Sequence, residues 1–70
     1  MNEIEKLRVL LPHWIEHNEE HATEFRQWAK RTDEASMDII AAANQMEIVN
    51  RSLQDALEKL GGTLEPPRRG

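Results

Sequence analysis

Two stretches of this chain place apolar and small side chains at alternating steps of three and four residues, with a short polar link between them. Ile4, Leu7, Leu11, Trp14, Asn18, His21, Phe25 and Trp28 form the first series; Ser36, Ile39, Ala43, Met46, Asn50, Leu53, Leu57 and Leu60 form the second. That spacing is the seam of packed helices, and no stretch alternates with period two for long enough to make a strand. The fold class is all-α. A link of a few residues turns the chain back on itself, which predicts an antiparallel two-helix hairpin over residues 1–62. Residues 63–70, TLEPPRRG, are expected to be a flexible C-terminal tail; its Pro-Pro-Arg-Arg end could also dock a partner.

Local signals mark the ends. Asn2 with Glu5 three residues on has the form of an N-cap and its reciprocal partner. Thr32 followed by Asp33 and Glu34 offers a second N-cap, with acidic groups at the positive end of the helix dipole. Gly61-Gly62 suits a left-handed C-terminal cap. Pro12 conflicts with one long first helix, since a mid-helix proline removes a hydrogen bond at a cost of roughly 3 kcal/mol. The register nevertheless runs through it to Trp14. Pro12 takes an outward position in that register, so a kinked helix or two helical pieces sharing a face is expected.

The apolar stripe is wider than a two-stranded seam. Ile15, Ala22 and Ala29 extend it on the first helix, and Ile40, Ala42, Val49 and Ala56 on the second. A stripe this broad meets more than one neighbour. Seventy residues without cysteine also lack the disulfides and thiolate-bound metals that hold many small folds together. Both arguments point to a homodimer in which two hairpins make a four-helix bundle. Leu7, Leu11, Trp14, Asn18, Phe25, Trp28, Ile39, Ala43, Met46, Asn50, Leu53 and Leu57 are its expected core and interface residues.

Charge narrows the partners. The net charge is −4, and residues 32–60 carry two Lys/Arg against six Asp/Glu. No basic stripe follows a phosphate backbone, so nucleic acid is not expected. No apolar run approaches the roughly 20 residues of a membrane span, and MNEIEKLRVLL lacks the pattern of a secretory signal. A cytoplasmic protein is the expectation, with any protein partner other than a second copy left open.

The densest chemistry is HWIEHNEEH, residues 13–21. His17 and His21 lie one helical turn apart and suit chelation of one ion, with Glu20 or Glu24 nearby and further ligands from another helix or subunit. His13 is two turns from His21, about 12 Å along the axis, so one ion does not take all three histidines. Neutral imidazole suits nickel, cobalt or zinc. An alternative needs no metal: Asn18 and Asn50 in the seam fix register and oligomer number, with His21 as a further hydrogen-bonding member and Gln45 or Glu47 opposite. A third reading makes the histidines a proton switch beside Glu20 and Glu24. The segment from His17 to His21 also fits H-x-x-E-H, the inverted zinc-protease motif, but a hairpin offers no substrate cleft. No nucleophile triad or phosphate-binding glycine loop is present, and the chain is not expected to be an enzyme.

The stretch LLPHWIEHNEEHATEFRQWA resembles a small, uncharacterised prokaryotic helical-hairpin family of pattern L-x-x-H-W-I-E-H-N-x-E-H-A-x-x-F-x-x-W-A, followed by a second amphipathic helix. The resemblance covers roughly residues 4 to 60. Members occur in anaerobic bacteria and archaea, sometimes beside small nickel-handling accessory proteins. The resemblance implies a transition-metal site at His13, His17, Glu20 and His21, and leaves the geometry around His13, next to Pro12, open. The resulting expectation is a small self-associating helical protein that binds nickel, cobalt or zinc; the alternative is a structural interaction module without metal.

Overall fold

The structure, a computed structural model, describes residues 1–64; the tail after Leu64, with its Pro-Pro-Arg-Arg end, lies outside the described residues. Two helices form an antiparallel hairpin, α1 over Glu3–Ala29 and α2 over Ser36–Lys59. Among the described residues there is no strand.

α1 starts where the sequence marks it. The Glu5 backbone N–H donates to Asn2 Oδ1 at 2.8 Å, and the Asn2 N–H donates back to Glu5 Oε1 at 3.4 Å, which completes a capping box. α2 starts later than Thr32. Residues 32–35 remain in the turn, and Ala35 is the N-cap without a side-chain hydrogen bond. Asp38 in the first turn still faces the positive end of the dipole. The exit from α2 is the glycine cap: Gly61 and Gly62 take positive φ, and their N–H groups donate to the Glu58 and Leu57 carbonyls. Those two bonds define a Schellman motif.

Pro12 neither ends α1 nor splits it; the helix runs through as one element. The ring is half-buried rather than outward. Its missing N–H leaves the Arg8 carbonyl without the usual partner four residues on. The Leu64 N–H, arriving after the glycine cap, donates to that carbonyl at 3.2 Å. The Arg8 side chain grips the same turn, donating from Nε to the Gly62 carbonyl at 2.7 Å and from a terminal nitrogen to the Gly61 carbonyl at 3.2 Å. Proline thus creates an acceptor on α1 that ties down the chain leaving α2.

The seam between the helices departs from the expected one on α1. On α2 the series holds: Ala43, Asn50 and Leu57 are buried, and Ser36, Ile39, Met46, Leu53 and Leu60 half-buried. On α1, Leu11, Asn18 and Phe25 keep their places, but the second row is Arg8, Ile15, Ala22 and Ala29. Leu7, Trp14, His21 and Trp28, expected in that row, are exposed. Size decides the exchange. Ala22, Ala29 and Ala43 are all at most 3% exposed and let the backbones approach closely, whereas tryptophans in the same row would hold them apart.

What the single hairpin hides is small. Leu11 and Leu57 are its only buried large apolar side chains among the described residues, joined by the three alanines. Eleven large apolar side chains stay exposed. Two helices side by side make one layer among the described residues, and a domain needs two to enclose a core.

Candidate functional site

One polar group is sealed into the seam, and it is fully satisfied. Asn50, 9% exposed, accepts at Oδ1 from Asn18 Nδ2 at 3.0 Å and donates from Nδ2 to the Ile15 carbonyl of α1, also at 3.0 Å. A sliding step of α2 along α1 would break both bonds and leave a buried amide unpaired, which costs about 1–3 kcal/mol. Asn18 and Asn50, the two seam asparagines of the sequence, thus bond to each other across the helices. His21 takes no part in that bond.

The two flanks of the seam differ in chemistry. One is a groove of about 560 Å³ lined in part by Ile15, Glu19, Arg26, Glu47 and Arg51. Arg26 crosses it, donating to Glu47 Oε1 at 2.7 Å and to Asn44 Oδ1 at 3.1 Å. The opposite flank carries a shallower hollow of about 420 Å³, lined by Trp14, His17, Asn18, His21 and Leu53. No carboxylate, lysine or arginine lines it.

Rings continue along that aromatic flank. His17 and His21 stack with centroids 4.8 Å apart and planes 17° from parallel, and Phe25 follows His21 at 6.1 Å. His13 meets His17 edge-on at 6.1 Å. The column follows from spacing, since residues four apart lie one above the other on a helix face. Trp14 is 41% and Trp28 54% exposed, and the Arg31 guanidinium lies 4.8 Å over the Trp28 ring. Helical arithmetic puts Leu7 and Leu10 beside them on α1, and Val49 one turn from Leu53 on α2.

The expected ligands do not converge within one copy. His13, Glu16, His17 and Glu20 line a separate shallow hollow of about 90 Å³ on the outer side of α1. Glu20 therefore faces away from the hollow that His21 lines, and Glu24 is exposed. Among the described residues no three His, Asp or Glu side chains come close enough together to hold an ion. Glu47, considered as a partner for His21, is instead bound to Arg26 on the other flank. No helix of the described residues is long and apolar enough to cross a membrane.

The fold and its flanks define a small two-helix antiparallel hairpin with an amide-locked seam and one aromatic face. The chain belongs to the family described as domain of unknown function (DUF8180), whose profile matches residues 7–60. Comparison with curated proteins and with solved structures returned no match.

Proposed function

We propose that this chain is a self-associating interaction module: two copies stack their aromatic flanks and close a four-helix bundle. The observation that carries the reading is the imbalance between two buried large apolar side chains and eleven exposed ones among the described residues; helical spacing puts five of the eleven, Trp14, Trp28, Leu7, Leu10 and Val49, on the flank of the half-buried Met46 and Leu53. Exposed apolar surface on one face marks an interaction site. A second copy suits the patch because no Asp, Glu, Lys or Arg lines its central hollow, so two chains of net charge −4 meet there without opposing carboxylates. It also supplies the missing second layer.

A two-fold axis lying in the face and crossing α1 near residue 19 crosses α2 near Val49, since the Asn18–Asn50 bond sets those positions at one level. Leu10 then lies opposite Trp28 of the other copy, and Val49 opposite its own counterpart. Acrylamide quenching of tryptophan emission tests the reading. The quenching constant should fall as chain concentration rises from nanomolar to tens of micromolar. Equal quenching at every concentration excludes the assembly.

A further inference from the structure

We infer that Pro12 is a hinge in α1 and that residues 61–64 are the latch that keeps it shut. When the latch lets go, residues 3–11 open as a unit while the rest of the hairpin stays folded. The inference is independent of self-association and starts from what the first part of α1 buries. From Glu3 to Leu10 no side chain is buried, and only Glu5 and Arg8 are half-buried. Ile4, Leu7, Val9 and Leu10 are all exposed. Leu11, next to the proline, is the first buried side chain of the helix. Beyond Pro12 the seam takes over, with Ala22 and Ala29 buried and the Ile15 carbonyl bound by Asn50.

The proline loosens the join between these two parts. It gives no N–H to the ladder and its ring crowds the Arg8 carbonyl, so one bond that would carry α1 across this point is missing. The latch replaces it from outside the helix. The Leu64 N–H donates to the Arg8 carbonyl at 3.2 Å. Arg8 returns two bonds, from Nε to the Gly62 carbonyl at 2.7 Å and from a terminal nitrogen to the Gly61 carbonyl at 3.2 Å. Those carbonyls lie at the negative end of the α2 dipole, where a guanidinium is favoured. All three bonds join one residue of α1 to one short turn, so losing the turn loses them together. A segment with few buried contacts and solvent-exposed backbone bonds is the kind that opens locally, below the cost of global unfolding. The latch has a consequence for the surface: closed, it keeps Leu7 and Leu10 in line with Trp14 along one face of α1; open, it takes them out of line.

Amide hydrogen exchange of the full chain, read residue by residue by NMR at one fixed chain concentration, tests the hinge. Arg8→Ala deletes the two charge-assisted bonds and should speed exchange of amides 6–11 by about tenfold or more, although alanine is the better helix former. Amides 17–29 should stay within about twofold, the change expected of a part that does not share the opening. Leu64→Pro removes the N–H donor alone and should speed the same amides 6–11 by about fivefold, the factor of one net hydrogen bond. Pro12→Ala supplies the helix with its own donor for the residue 8 carbonyl. In that background either latch variant should change amides 6–11 by less than about twofold, because the ladder then carries α1 through unaided. Equal acceleration in both parts of α1, acceleration in neither, or the same acceleration with and without Pro12 overturns the hinge.

Discussion

The two flanks of the hairpin border the same seam and have opposite characters. On one, Arg26, Glu47 and Asn44 satisfy one another across the groove. On the other, tryptophans and stacked imidazoles face outward, with no ion pair across the hollow between the helices. The polar flank is finished as a surface within one chain. The aromatic flank leaves Trp14, Trp28 and the histidines exposed. Under the self-association proposed above, one side of the layer faces water and the other a second copy.

The largest expected effect breaks that division directly. Trp14→Glu with Leu53→Glu places charge in the aromatic hollow and should weaken self-association by at least a thousandfold, about 4 kcal/mol, as loss of a central aromatic anchor does. Exchanging the polar pair, Arg26→Glu with Glu47→Arg, should leave the dimer constant within about threefold, near the few tenths of a kcal/mol typical of surface changes. Equal loss from both double variants would show that the flanks do not differ in this way. Leu57→Ala acts on the seam that both flanks share and should lower stability to denaturant by about 2–5 kcal/mol, because among the described residues Leu57 and Leu11 are the two large apolar side chains fully buried there.

Asn50→Ala comes next, at about 1–3 kcal/mol, since it strips a partner from Asn18 and from the Ile15 carbonyl. Replacing both asparagines with leucine should recover the stability while the assembly loses a single register, seen as several species in sedimentation. Pro12→Ala should stabilise the helix by on the order of 1 kcal/mol. That is less than the roughly 3 kcal/mol of an uncompensated mid-helix proline, because the Arg8 carbonyl already has the Leu64 N–H. Faster amide exchange at Leu64 is the accompanying sign. Smallest is Glu47→Gln. The exposed pair with Arg26 should contribute about 0.2–1 kcal/mol, fading at high salt.

Much of the fold was legible because its signals are local. The Asn2–Glu5 capping box and the Gly61–Gly62 exit each depend on a few adjacent residues, and α2 has one apolar series to read. The first helix has two. Leu7, Trp14, His21 and Trp28 repeat every seven residues, and so do Arg8, Ile15, Ala22 and Ala29, one position on and about 100° around the helix. Bulk favoured the tryptophan row in the sequence, whereas close packing against Ala43 requires the alanine row. That exchange is also why His21 sits outside the seam, stacked on His17 rather than bonded to Asn50. The start of α2 was misplaced for a different reason: Thr32 has the chemistry of a cap, but the turn needs residues up to Ala35 to reverse the chain. The role of Pro12 was not readable at all, because the carbonyl it frees, that of Arg8, accepts from the Leu64 N–H, 56 residues away from Arg8 in sequence.

Sedimentation equilibrium of the full chain, across a dilution series from hundreds of micromolar to nanomolar, probes the incomplete single layer most directly. A mass of two chains at high concentration, falling toward one on dilution with loss of helical signal, is the predicted result. A folded single chain at every concentration, melting at the same temperature throughout, would contradict it.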